Sequence, residues 1–185
     1  MYDPADAAAD LQTAANAWDG VFSPSMTFAP AGDDATRYSF TFTIDDEQQQ
    51  RIVVVGNADV FVVSAPTSYR TLLAAAEATT SAEFTAAVLD LARPGADRAD
   101  LLLLGLDGGD VVYIDEVVIP QLPERFLGPA LTAIIDALTN DDGTLLLTNP
   151  GEWTTSNQQV KQEQAALHGF EQWGDTNTWT YFVED

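Results

Sequence analysis

The chain predicts an α/β domain built on one mixed sheet. Two observations lead there. Residues Val111 to Ile119 form a long run that is apolar on both faces, as a covered central strand is. A segment opening at Pro123 then keeps Leu127, Leu131, Ile134, Ile135 and Leu138 at helical spacing, and a short apolar run, Leu145-Leu146-Leu147, follows it. A strand, an amphipathic helix and a second strand in that order form a βαβ unit, which needs parallel neighbours.

The other elements follow along the chain. Residues 4–18 are rich in alanine and read as a helix, with Asp3 able to cap it and Pro4 in its first turn. Residues 19–36 hold Gly20, Pro24, Pro30, Gly32 and the Asp33-Asp34 pair, and read as loop. Residues 1–36 are thus an N-terminal helix and loop of the same domain, and 37–185 its α/β body. From Tyr38 to Ile44 large apolar residues alternate with Ser39, Thr41 and Thr43, which gives a strand with one wet face. Ile52–Val55 and Val60–Val63 flank Gly56-Asn57, as a strand pair or one bulged strand. Two short helices are expected over 67–78 and from Thr80, the second with Glu83 completing a capping box and Pro94-Gly95 ending it. Leu101–Leu104 and Val111 to Ile119 flank Asp107-Gly108-Gly109-Asp110, as an antiparallel hairpin would. A polar helix over 155–167 and two strands, Phe170 to Trp173 and Thr178 to Val183, close the chain. In the last strand Trp179, Tyr181 and Val183 share one face and read as core.

Composition narrows the function. The hydrophobic fraction is 46%, with four Trp, five Tyr and nine Phe, so the chain has the material for a core and is not a disordered acidic tail. No apolar run is long enough to span a membrane, and the first residues lack the basic and apolar regions of a signal peptide. The absence of cysteine removes disulfides, thiolate nucleophiles and thiolate metal sites, and fits a cytoplasmic protein. His168 is the single histidine and no EF-hand spacing occurs, so no metal site is expected. No phosphate-binding Gly-Lys-Ser/Thr loop and no nucleophile elbow is present.

Lys and Arg number 7 against 29 Asp and Glu, a net charge of −22. Such a chain repels nucleic-acid phosphates and anionic lipid. Three readings of the charge stay open: a solvating surface suited to high salt, a surface that binds a basic protein partner, or a mimic of nucleic acid that occupies a DNA-binding protein.

Residues 100–185 resemble the GNAT (acyl-CoA N-acyltransferase) superfamily. Val118-Ile119-Pro120 followed by Leu127-Gly128-Pro129-Ala130-Leu131 is similar to that family's cofactor loop and the helix after it. Leu167-His168-Gly169-Phe170 is similar to its junction between last helix and closing strands. The resemblance implies a single-domain mixed twisted sheet of GNAT type, with acetyl-CoA as cofactor where the loop is competent. The backbone of Val117, Val118 and Ile119 would hold the pantetheine arm. The loop and helix N-terminus would hold the pyrophosphate, through N–H groups and the helix dipole. Two alignments of the loop are open. In one, Arg125, Gly128 and Ala130 meet the family pattern. In the other, which keeps all element lengths, Pro123, Glu124 and Phe126 stand where the family has a basic residue and glycines, and Gly128 alone remains.

Amine acetylation needs a base, and Glu116 is the candidate. Simple alternation places it with Val112, Ile114 and Val118, and Asp115 with Val111, Tyr113, Val117 and Ile119. A carboxylate in a covered strand is either desolvated, which raises its pKa, or freed by a local bulge. The tyrosine that serves as acid in the family is Ala165 by this resemblance. The resemblance therefore implies either an active acetyl-CoA-dependent N-acetyltransferase or a protein of that type with weak or lost activity and a binding or scaffolding role. An acidic inhibitor of a basic or DNA-binding protein is the third class.

Overall fold

The computed structural model describes residues 22–46, 51–93, 109–119, 126–139, 143–154 and 158–183. Its strands are β1 (Phe22–Pro30), β2 (Ala35–Asp46), β3 (Arg51–Val63), β4 (Val111–Val118), β5 (Leu145–Thr148), β6 (Glu171–Gln172) and β7 (Trp179–Phe182). Its helices are α1 (Tyr69–Ala78), α2 (Ala82–Leu91), α3 (Leu127–Leu138) and α4 (Gln158–Leu167). The expected helix at 4–18, the run Leu101–Leu104, and residues Pro123, Glu124 and Arg125 lie outside the described residues.

All seven strands join one mixed sheet in the order β1-β2-β3-β4-β5-β7-β6. The expected central strand is β4, fourth of seven, antiparallel to β3 and parallel to β5. Both edges of β4 are therefore occupied, by β3 and β5. The sheet separates two cores. On one face α3 lays down Leu127, Ala130, Leu131, Ile134 and Leu138 against Phe40, Phe42, Val60, Val112, Ile114 and Val117. Trp179, Tyr181 and Val183 pack against the same core, as their alternation predicts. On the other face α1 and α2 supply Leu72, Ala76, Phe84, Val88 and Leu91 against Phe61, Val63, Val111, Tyr113, Leu145 and Leu147.

Three local expectations change. The stretch 19–36, read as loop from its prolines, contains β1. Phe22, Met26 and Phe28 alternate there with Ser23, Ser25 and Thr27, and Pro24 and Pro30 are tolerated because β1 is an edge strand. The second helix is capped one residue later than expected. Ser81 accepts the Phe84 N–H at 3.0 Å, in place of a Thr80–Glu83 box. The capping box is instead on α1, between Ser68 and Thr71.

The third change concerns β4. Its register against β3 steps from Val60↔Ile114 to Asp59↔Glu116, leaving Asp115 as an extra residue. A bulge of this kind shifts the alternation by one. Val112, Ile114, Val117 and Ile119 consequently share the α3 face, while Asp115 and Glu116 lie on the face of α1 and α2. β3 carries a matching step, Phe42↔Gly56 to Thr43↔Val54, with Val55 as the extra residue, so the single bulged strand is what forms. The β4 bulge keeps Val117 and Ile119 over α3, where plain alternation would have put Glu116 and Val118.

Candidate functional site

Two places on β4 bring together the residues singled out by sequence. The first is the polar end of the α1/α2 face. These helices cover the Phe61–Val63 end of the sheet, and beyond α2 no described element covers the face. Alternation along β2 puts Arg37, Ser39, Thr41, Thr43 and Asp45 there, and the cross-strand register adds Val54, Ile52, Asn57 and Asp59. Glu116 stands opposite Asp59 and is exposed, so the bulge frees it to water instead of burying it.

Asp59 is held by two residues of β2. Arg37 Nη2 reaches Asp59 Oδ2 at 2.5 Å, Arg37 Nε reaches Oδ1 at 3.2 Å, and the Ser39 hydroxyl donates to Oδ1 at 2.7 Å. Partial burial works to raise the Asp59 pKa. The hydrogen bonds from Arg37 and Ser39 outweigh it and hold the carboxyl below the ordinary range. Asp115 is bonded to no cation among the described residues. Its Oδ1 accepts one hydrogen bond, from Ser81 Oγ at 2.5 Å, and that hydroxyl also caps α2. Burial raises the Asp115 pKa, and the charges of Glu83, Asp59 and Glu116 add to the rise against the Ser81 bond. Beneath it Tyr113 is fully buried and stacks on Phe84 at 4.8 Å, and burial pushes its phenol well above the ordinary value. Among the described residues no group of three His, Asp or Glu side chains is placed to hold a metal ion.

The second place is the seam between β4 and β5. The two strands pair from Val111↔Leu145 to Ile114↔Thr148, and β5 then turns into a short 3₁₀ helix, Pro150–Glu152. The chain returns to β4 at Thr154. Its N–H donates to the Val117 carbonyl at 2.9 Å, and its carbonyl accepts the Ile119 N–H at 2.9 Å. Val118, between them, is the bridge partner of Thr154 and stands opposite Asn57 of β3. Trp153, just before, is buried and donates from Nε1 to Thr148 Oγ1 at 3.1 Å, while Thr148 Oγ1 donates to the Ile114 carbonyl at 3.0 Å. This chain of bonds satisfies the buried polar groups where β5 leaves the sheet.

No family model, curated protein or solved structure matches the chain. The start of α3 adds to the seam's geometry. Phe126, at the cap position, is fully buried and stacks on Phe22 at 6.3 Å, with no side-chain cap bond on the helix. Leu127 and Ala130 are fully buried as well. Gly128 is half-buried, and a Cβ built on it would meet Gln164 Oε1 at 2.8 Å, so α4 sits close over this turn. His168 joins the same two helices. Its Nδ1 donates to the Gln164 carbonyl at 2.8 Å, and its Nε2 is hydrogen-bonded with Thr132 Oγ1 at 3.1 Å. Lys161 is buried and donates to the Gly151 carbonyl at 3.3 Å, and Ala165 is buried in the core.

Glu116 and Asp115 are thus brought together with Asp59. Val117 and Ile119 are tied to Thr154, and Gly128 and Ala130 lie under α4 and in the core. Arg37, Asp59, Ser81 and Thr154 were not singled out by sequence. Each acts through a partner 22 to 37 positions away in the chain, a pairing that only register creates, as in Arg37 with Asp59 at a separation of 22. The available signal was the polar set Arg37, Ser39 and Thr41 in a strand whose other face is aromatic.

Proposed function

We propose that this chain is a GNAT-like binding module that does not transfer acetyl groups and whose partner is a basic protein. The supporting observation is Thr154. A pantetheine arm in this family pairs with the backbone of the central strand. Here the Val117 carbonyl and the Ile119 N–H on that edge are already bonded to Thr154. A cofactor has to displace two backbone hydrogen bonds before it can form its own. The pyrophosphate seat is also weakened: Pro129 offers no N–H, and Leu127 and Ala130 are buried. In this reading Glu116 is a recognition residue on the open face, not a general base.

A basic partner fits the character of that face. On this face exposed Asp45 stands opposite exposed Ile52, Val54 follows, and further along lie exposed Glu116 and partly buried Asp59 and Asp115, with Arg37 bound to Asp59. Apolar side chains with carboxylates at either end suit an amphipathic segment carrying lysines at its ends. Binding of a lysine-rich amphipathic peptide, measured by calorimetry, tests this. Asp45→Asn with Glu116→Gln weakens it about tenfold, since each rim charge carries up to about 1 kcal/mol. Asp33→Asn with Asp34→Asn removes the same charge elsewhere and serves as the control. Equal losses for both pairs leave only net charge and overturn the assignment of the face.

A further inference from the structure

The sheet ends at the nine-residue β1 on one side and at the two-residue β6 on the other, and among the described residues nothing pairs with the outer side of β1. Met26 and Phe28 of β1 are 44% and 74% exposed. By alternation they share the α3 face with Phe22, and Phe28 lies against Tyr38 of that core at 6.0 Å. Large uncovered apolar side chains in a row on an edge strand call for a partner.

The backbone of β1 says which partner fits. Its pairing with β2 runs without a break from Phe22↔Ile44 to Pro30↔Thr36, and the next residue, Ala31, donates its N–H to the Ala35 carbonyl at 2.8 Å. In an antiparallel ladder every second pair exchanges hydrogen bonds. Ser23, Ser25, Thr27 and Ala29 keep the parity of Ala31 and so bond to β2. Phe22, Pro24, Met26, Phe28 and Pro30 direct their backbone groups outward. Pro24 and Pro30 have no N–H and blunt the edge where they stand. Between them Met26 and Phe28 each present one N–H and one carbonyl. A second β1, antiparallel and turned about a two-fold axis at Thr27, sets Met26 opposite the partner's Phe28 and Phe28 opposite the partner's Met26. Each of these pairs exchanges both bonds. The same register sets Pro24 opposite the partner's Pro30, so no N–H is left facing a ring. The strand is therefore complementary to itself, as a two-fold interface requires. Charge agrees with this choice. β1 contains no charged residue in a chain of −22, so two copies meet along it without setting carboxylate against carboxylate.

We propose that two copies of this chain join through β1, antiparallel about a two-fold axis at Thr27, with Met26 and Phe28 of both copies forming one apolar strip. Sedimentation equilibrium of the full chain in molar KCl, which screens the charge of the remaining surface, is expected to give twice the chain mass. Phe28→Asp raises the dimer dissociation constant about a hundredfold, because two exposed rings leave the contact. A parent chain that stays monomeric up to millimolar concentration overturns the proposal, and so does a dimer that Phe28→Asp leaves intact. The register has its own test, since the chain has no cysteine. Thr27 faces its own copy across the axis in a pair without hydrogen bonds, where Cα atoms stand about 4.5 Å apart, within reach of a disulfide. Thr27→Cys is exposed on the edge strand and is expected to keep the parent's unfolding midpoint when reduced. On mild oxidation it cross-links to a dimer, whereas Ser23→Cys, four residues from the axis, does not. Equal cross-linking of the two variants, or none at Thr27→Cys, overturns the two-fold arrangement.

Discussion

Asp115 shows how a single residue concentrates the tension of this fold. The bulge that keeps Val117 and Ile119 over α3 leaves Asp115 as the unpaired residue, half-buried among Asp59, Glu83 and Glu116. Its folded pKa is raised above the ordinary value of 3.8. The folded state then holds more protons than the unfolded chain over the window that begins near that value, so stability falls as pH rises through it. Asp115→Asn keeps an acceptor for Ser81 and removes the charge. The variant is therefore expected to match the parent near pH 4 and to unfold at higher temperature at pH 7. Each kcal/mol of relief is worth about 2–4 °C in a chain of this size. A difference that stays flat from pH 4 to pH 8, or a variant less stable at pH 7, contradicts this account. Asp59 has the opposite sign, because Arg37 and Ser39 hold its pKa down and its contribution is lost in acid. A carboxylate pair in the middle of an apolar strand was visible in the sequence. Which of the two is buried was not, because the parity depends on the bulge and the bulge on β3.

At the scale of elements, β3 and β4 lie unusually close where Gly56 passes Val118. A Cβ built on Gly56 would stand 2.5 Å from the Val118 carbonyl and 3.0 Å from Ile119 Cγ1. Gly56→Ala is expected to cost about 1–3 kcal/mol, read as a lower unfolding midpoint, since the contact is with backbone that cannot swing aside. No change in the midpoint would mean that the two strands separate freely there. The elements with a strong period were legible in advance. The β4–α3–β5 unit follows from Val111 to Ile119, the Leu127–Leu138 spacing and Leu145–Leu147, and the parallel pairing confirms that order. β1 was hidden by Pro24 and Pro30, whose meaning reverses once the strand is known to lie at an edge. The seam at Thr154 was not legible, because it depends on where the chain goes after Pro150-Gly151.

For the whole molecule, 29 acids against 7 bases set up mutual repulsion that folding concentrates. Added salt shortens the screening length from about 8 Å at physiological ionic strength to about 3 Å at 1 M. The unfolding midpoint at neutral pH should rise from low salt to molar KCl, and a flat or falling curve would remove repulsion as an important influence on stability. The same charge bears on cofactor binding. A polyanion approaching α3 meets a chain of −22, a first turn in which Pro129 offers no N–H and Leu127 and Ala130 are buried, and a β4 edge bonded to Thr154. Calorimetric titration with acetyl-CoA at physiological salt tests that closure most directly. The account predicts no measurable heat of binding up to millimolar cofactor. A dissociation constant in the low micromolar range, near −8 kcal/mol, would contradict it and return Glu116 to the position of a catalytic base.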